Sequence, residues 1–366
     1  MSPARRGGGD GAAARFARAP VAGLPAVHQI TLPTPWSTGS VQVYLIESDP
    51  LTLVDCGLDD DDSRLALGGA LEALGYGFED VRRVVLTHHH RDHLGLAQAL
   101  RESAGEGFEV WAHVDAAPMI EGFSPERDEE EVQGTAELFL EFGVPGDVVA
   151  RIAETRRRKL AEEPARCRPT RVDRLLRDGD VVPFKDLALD VIHSPGHTAG
   201  HVLLHHAPSR VLISGDQILG GAVPAVDNYF TGGLPDPADP LRRRPRYMGL
   251  LEYRRSLRRL RERSFSAILP GFGGVIRLPE RAIREALLFY EVRIQRIERS
   301  LRSVSAIGQA VTAYEVWRAL FPGADPVTEM RTRLLTVIGA LDVLEDEGQC
   351  ETSRRTDGVL VHRHAP

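Results

Sequence analysis

The chain has 366 residues, 42% of them hydrophobic and 27% charged, which is the balance of an ordinary globular protein. A formal net charge of −7 gives no global field for nucleic acid or an anionic membrane, and no stretch reaches the roughly 18 apolar residues of a membrane span. Cys56, Cys167 and Cys350 are far apart and form no metal or redox motif, so they read as free thiols of a reducing, cytoplasmic compartment.

Residues 1–24 are rich in Gly, Ala and Arg and have little to bury, so they read as a disordered tail. Their apolar run is interrupted by Arg15 and Arg18, unlike a signal-peptide core. Ordered structure is expected from near Val27. Residues 41–46 and 51–55 read as strands joined at Asp49-Pro50, a hairpin signal. Asp55-Cys56-Gly57 ends the second. Asp59 to Asp62 do not fit a calcium loop; acids at a helix N-terminus favour its dipole. A helix over residues 63–74 follows, with Leu65, Leu67, Leu71 and Leu74 as its apolar set.

Residues 81–86 are apolar, β-branched and too few for a helix, so they read as a buried strand. It runs into Thr87-His88-His89-His90-Arg91-Asp92-His93, in which five of seven residues can bind a divalent metal. His88 and His90 are two apart and point to the same side of an extended loop. Asp92 and His93 follow and can turn toward a second ion. Imidazole with carboxylate suits Zn, Mn or Fe, and the lack of thiolates goes against a closed structural zinc site. The plain alternative is a surface histidine run. A helix is expected over residues 94–100, its free N–H groups facing the site.

Residues 108–113 read as the next strand, with His113 structural. Residues 114–163 then change character, with Glu129-Glu130-Glu131 and Arg156-Arg157-Arg158-Lys159. Apolar residues at helical intervals predict two or three inserted helices, a lid or a dimer surface, whose charge runs are solvated faces. Strands resume at 170–176 and 187–192. The latter leads into Ser194-Pro195-Gly196-His197-Thr198-Ala199-Gly200-His201, a sharp turn presenting His197 from a strand end. Residues 211–216 form another apolar strand, ending in Gly215-Asp216. Three separate apolar strands thus end in a potential ligand.

These residues resemble the metallo-β-lactamase fold superfamily of hydrolases over about residues 26–300. The H-x-H-x-D-H signature stands at His88 to His93, P-G-H-T-x-G-H at Pro195 to His201, and G-D at Gly215-Asp216. The resemblance implies an α/β fold, a four-layer αββα sandwich with metals at one edge. It implies His88, His90 and His197 on a first metal, and Asp92, His93 and a bridging Asp216 on a second. His201 would support the site without ligating. The superfamily supplies a last ligand as His in a P-G-H-G turn, and here the matching turn is Leu269-Pro270-Gly271-Phe272-Gly273. Phe272 cannot coordinate, so one zinc (or Mn or Fe) is expected firmly and the second weakly or not at all. A decayed, non-catalytic binding protein is the opposing reading.

A metal with three His ligands and an open position lowers the pKa of bound water toward neutrality, and the resulting hydroxide can attack a carbonyl or phosphorus. Asp92 can orient it or accept its proton. The loop over residues 218–247 should border the pocket. Arg242, Arg243 and Arg244 there can clamp a phosphate or form a solvated turn, and Tyr229 and Phe230 can line a pocket or pack. A helix over residues 248–261 and a long one over residues 279–300 follow, the latter buried through Ile283, Leu287, Leu288, Tyr290, Ile294 and Ile297. In residues 301–366, a capping box at Thr312 and Glu315 opens one helix, and residues 327–347 form another. Residues 349–354 pair with 359–363. This reads as a small winged-helix-like domain of mixed charge that packs on the catalytic domain.

That tail resembles the lactamase-beta-like subgroup, which includes a single-strand endoribonuclease and polyketide-releasing thioesterases; hydroxyacylglutathione hydrolase is a wider relative. No β-CASP-type domain is visible. The expectation is a metal-dependent hydrolase of a small-molecule ester or thioester, acyl-CoA-like. The alternative is a single-strand endoribonuclease or other phosphodiesterase. Homodimerisation is compatible with the inserted helices.

Overall fold

The computed structural model describes residues 18–21, 24–162, 166–305 and 309–365. Among them, β1 (Arg18–Val21), β2 (Leu24–Leu32), β3 (Val41–Ile46), β4 (Thr52–Val54), β5 (Arg83–Val85), β6 (Glu109–His113) and β7 (Arg174–Leu176) form one sheet in chain order. β1 to β4 pair antiparallel, and β4 to β7 pair parallel. Parallel neighbours require crossovers. α1 (Asp61–Glu72) supplies the first, and α2 (Arg91–Leu94) with α3 (Ala97–Ala104) the second. The C-terminal ends of β4 and β5 therefore emerge side by side at one edge.

α4 (Ala117–Glu121), α5 (Pro125–Glu141) and α6 (Gly146–Glu162) make up the insertion. The second sheet contains β8 (Val181–Pro183), β9 (Ala188–His193), β10 (Val202–His206) and β11 (Val211–Gly215). A ribbon of β12 (Asn228–Phe230) and β13 (Arg246–Met248), then α7 (Gly249–Leu260), lead to β14 (Ala267–Pro270). The sheet order is β14-β11-β10-β9-β8.

The sheets stack through Tyr44, Ile46, Val54 and Val85 on one side and Val191, Leu204, Ile213 and Leu269 on the other. Each such side chain contributes about 1.5–3 kcal/mol by leaving water. The one polar atom of Tyr44 is satisfied there, its hydroxyl donating to Pro270 O at 2.7 Å. α1 and α3 cover the first sheet through Leu67, Leu71, Ala97 and Leu100. α7 and α8 (Pro279–Val304) cover the second through Leu250, Leu257, Ile283 and Leu287. This is the expected four-layer αββα sandwich.

The outer layer does not stop at α8. Phe139 and Ile152 of the insertion, Trp317 of α9 (Ala313–Leu320) and Leu334 of α10 (Pro326–Asp346) belong to the same apolar cluster as Leu257. A hairpin of β15 (Cys350–Arg354) and β16 (Leu360–His364) ends the described chain. The capping box at Thr312 and Glu315 is present. Acids of α10 meet arginines of the sandwich side: Asp342 with Arg246, Glu345 with Arg243, and Asp346 with Arg255. Just past its end, Glu347 meets Arg254.

Several expectations need correction. Residues 1–17 and 22–23 of the expected tail lie outside the described residues, but Arg18–Val21 pairs with β2 and extends the sheet. Leu65 and Leu288, counted in the apolar sets of their helices, are 69% and 57% exposed; both project away from the stripe that each helix buries. The helix after His93 is two short helices, α2 starting already at Arg91. Ribbon β12/β13 lies inside the segment read as a loop.

Candidate metal centre

β4 runs into Asp55, which adopts φ 59, a left-handed conformation uncommon outside Gly, Asn and Asp. Its carboxylate accepts from Thr87 N and Thr87 Oγ1, each at 2.8 Å, and from His93 Nδ1 at 2.8 Å. Asp55 therefore pins both ends of the histidine loop that leaves β5. α2 opens within that loop and brings Asp92 and His93 back toward the strand end.

The first cluster is His88, His90 and His197. His90 Nδ1 lies 3.0 Å from His88 Nε2 and 2.9 Å from His197 Nε2. A tetrahedral ion with bonds of about 2.0–2.1 Å wants nitrogens roughly 3.3 Å apart, so small ring shifts would admit it. The outer nitrogens are held. His197 Nδ1 bonds Ala225 O at 2.7 Å, and His88 Nδ1 bonds Thr87 Oγ1 at 3.0 Å. Thr87 Oγ1 gives its own proton to Asp55, so His88 must donate, and protons on the outer atoms leave lone pairs facing inward. Burial and the neighbouring histidines hold His88 and His90 well below the usual imidazole range, so both rings are neutral and could ligate a metal.

The second cluster is His93 and Asp216, which with His88 bring donor atoms close enough for one ion, and Asp92 lies beside it. His93 Nε2 lies 3.3 Å from Asp216 Oδ1 and 3.9 Å from Asp92 Oδ2. Asp216 Oδ2 lies 3.7 Å from His197 Nε2, so one carboxylate spans both clusters. His93 Nε2 and Asp216 Oδ1 are buried without a hydrogen-bond partner, which costs about 1–3 kcal/mol each unless something else satisfies them. Burial disfavours charge on His93, but Asp216, Asp55 and Asp92 outweigh it and push its pKa well above the usual value. Burial also raises the Asp92 pKa. Buried carboxylates around an orphaned imidazole nitrogen fit a divalent cation.

His201 Nε2 accepts Asp216 N–H at 3.1 Å. Phe272 is buried against Val41 and Cys56, its ring 6.0 Å from that of His93 in an edge-to-face pair. The turn before it touches the second cluster. A Cβ on Gly271 would lie 2.3 Å from Asp216 Oδ1 and 2.9 Å from His93 Cε1. An aromatic ring thus occupies the position beside His93 where the resemblance would place a ligand.

The three arginines are not gathered as a phosphate clamp, nor do they form a wholly solvated turn. Arg243 is held by Asp239 at 3.0 Å and Glu345 at 2.6 Å. Arg244 is held by Glu137 at 2.7 Å and lies over the Phe230 ring, and Arg242 is exposed. Tyr229 is half-buried with its ring 5.3 Å from Tyr247; burial and then Asp227 push its pKa to about 12. His113 stacks on His193 at 3.9 Å.

Three residues near the ligands were missed. Asp55 carried a signal, a strand-end acid like Asp216. His89 was counted only as a donor type; its Nδ1 is buried without a partner. Asp227, with no periodic signal, has a carboxylate atom within 4.8 Å of ring nitrogens of His89 and His90, and burial pushes its pKa to about 6.

Residues 36–271 match the family model described as the metallo-beta-lactamase superfamily. The chain is 30% identical over 324 residues to the probable metallo-hydrolase YqjP of Bacillus subtilis, covering 88% of this chain and 92% of that one. A metallo-beta-lactamase family protein from Thermus thermophilus has a similar structure, with TM-score 0.68 and 25% identity over 93% of this chain and 99% of that one. A shorter match, 42% identical over 55 residues, is to the acyl-coenzyme A thioesterase MBLAC2 of Gallus gallus, covering 15% of this chain and 20% of that one.

Proposed function

This chain belongs to the metallo-β-lactamase superfamily and is a metallo-hydrolase; we propose that it hydrolyses a small-molecule ester or thioester, with zinc as the resident ion, one firmly held and a second weakly. The observation that carries the substrate reading is the fate of the basic residues. Arg243 and Arg244 are neutralised by Asp239, Glu345 and Glu137, and the acids of α10 face arginines of the sandwich. Arginines paired in this way are poorly placed to follow a polyanionic backbone. The local likeness to an acyl-coenzyme A thioesterase supports the same choice.

His88, His90 and His197 would hold the first ion, and Asp92, His93 and Asp216 the second. Such an ion supplies Lewis acidity and a water of low pKa. Asp92 would accept the proton as a water adds to the acyl carbon, and that proton would then leave with the thiol or alcohol. Asp55 holds His93, and His201 holds the backbone of Asp216, so both side chains stay aimed inward.

The test is thiol release from acyl-coenzyme A and acyl-glutathione thioesters and alcohol release from simple esters, with Zn, Mn or Fe added and chelator as control. Metal-dependent release is expected. Silence across the panel from metal-loaded protein would overturn the substrate reading, and single-stranded RNA would be tried next.

A further inference from the structure

We propose that the half-buried Arg246–Asp342 pair is a positioning device for His197, acting through Asn228, so that helix α10 at the far end of the chain helps set metal affinity at the first cluster. This rests on the reading of His197 as a metal ligand. A ligating imidazole is aimed by whatever holds its outer nitrogen. For His197 that partner is no side chain but the carbonyl of Ala225, at 2.7 Å, in a segment outside helix and strand. The aim of the ring is therefore only as good as the anchoring of residues 225–228.

Two sets of bonds anchor them. Asp227 N donates to His197 O at 3.2 Å, and Asp227 O accepts from Gly249 N at 3.0 Å. The approach is so close that a Cβ on Gly249 would lie 2.1 Å from Asp227 O and 2.8 Å from Gly196 O. The next residue, Asn228, is buried and uses both ends of its amide. Its Oδ1 accepts from Arg246 Nη1 at 2.6 Å, and its Nδ2 donates to Asp342 Oδ2 at 3.4 Å. Arg246 in turn grips Asp342 with two bonds, at 2.9 and 2.5 Å.

The ribbon carrying Asn228 is two strands of three residues each. Such a ribbon is marginal unless something fastens it. Stability alone is a weak reason for the pair, because a buried ion pair gains little net over apolar residues of the same volume. Its geometry supplies direction instead: a planar fork and a carboxylate close on one amide, and that amide begins the strand adjoining the clamp on His197.

The full-length protein would be compared with Asn228→Ala, Asp342→Asn, His197→Ala and Arg255→Ala. The last removes another ion pair of α10, Arg255–Asp346, made with α7 rather than β13. The readouts are Zn2+ affinity by chelator competition, the visible absorption of Co2+-substituted protein, and the Tm of metal-free protein. Asn228→Ala and Asp342→Asn should each weaken Zn2+ binding about tenfold or more and shift the Co2+ bands. Arg255→Ala should change neither. If Asp342→Asn does not fold, Asn228→Ala, which leaves the ion pair intact, decides alone. Native affinity and spectrum in Asn228→Ala, with binding lost in His197→Ala, overturn the proposal. Native affinity in His197→Ala overturns the ligand reading beneath it, and the proposal with it.

Discussion

The two halves of the metal centre share Asp216 yet are built on different terms. The first is three imidazoles, of which burial holds His88 and His90 neutral, with the outer nitrogens of His88 and His197 held by Thr87 and Ala225. The second is one imidazole between carboxylates, its outer nitrogen on Asp55, with Phe272 beside it. The second has more attraction for a cation by charge and as many donor residues, but only one imidazole, and Phe272 stands where the resemblance places a further ligand. Coordination is cooperative in geometry, and a hard-won desolvation is repaid only when the shell closes. The full set of pre-aimed nitrogens should therefore win over the larger charge, and the first half should hold its ion more tightly.

The largest expected effect tests that order directly. His90→Ala removes the nitrogen central to the first half and should lower metal content and turnover by more than the ~100-fold that loss of an outer partner costs. Elemental analysis with steady-state hydrolysis checks it, and retained activity would break the comparison. Asp55→Asn comes next. It weakens the bond to His93 and one of the bonds to Thr87, so the second half should lose affinity about 10- to 100-fold, with the first less affected. Titration of metal-free protein with Zn2+ should then show the weak step moving much further than the tight one. Phe272→His is smaller again. It offers the second half a new donor and should raise its occupancy, at about 1–3 kcal/mol of fold stability from lost apolar burial. Unchanged stoichiometry by mass spectrometry under native conditions would show that residue 272 is not aimed at the ion.

The same contrast explains what could be read in advance. His88, His90, Asp92, His93, His197 and Asp216 all lie in the short segments that follow the apolar strands β5, β9 and β11, and such motifs are local in sequence. Asp55 also ends a strand, but its role depends on β4 and β5 being parallel neighbours, which a hairpin signal does not reveal. Charge was misread for the opposite reason. Arg243 and Arg244 are a basic run to the eye, yet their partners Glu345 and Glu137 lie 102 and 107 residues away. Leu65 and Leu288 are apolar but project away from the stripe that each helix buries, so residue type alone misplaced them. Asn228 and Arg246 gave no signal at all: three-residue strands carry too little pattern to register.

The smallest effect marks the range in which the two halves can be compared. His362, on β16, is fully buried and its pKa is pushed down to about 4, by burial first. The unfolded chain takes up this proton near pH 6.5, whereas the folded chain resists it until about pH 4. Between those values the unfolded state binds more protons, so stability falls as pH falls, and it is flat above about 6.5. Acid release of metal below pH 6.5 would therefore mix loss of ligands with loss of fold. His362→Gln, which cannot take up the proton, should show a shallower fall in Tm between pH 6.5 and 4, measured on metal-free protein. At pH 7 it should leave both metal affinities unchanged, because the ring sits against Phe142 and touches neither cluster. An equally steep fall would place the acid sensitivity in the metal-binding histidines themselves. The two halves would then have to be compared only with metal bound.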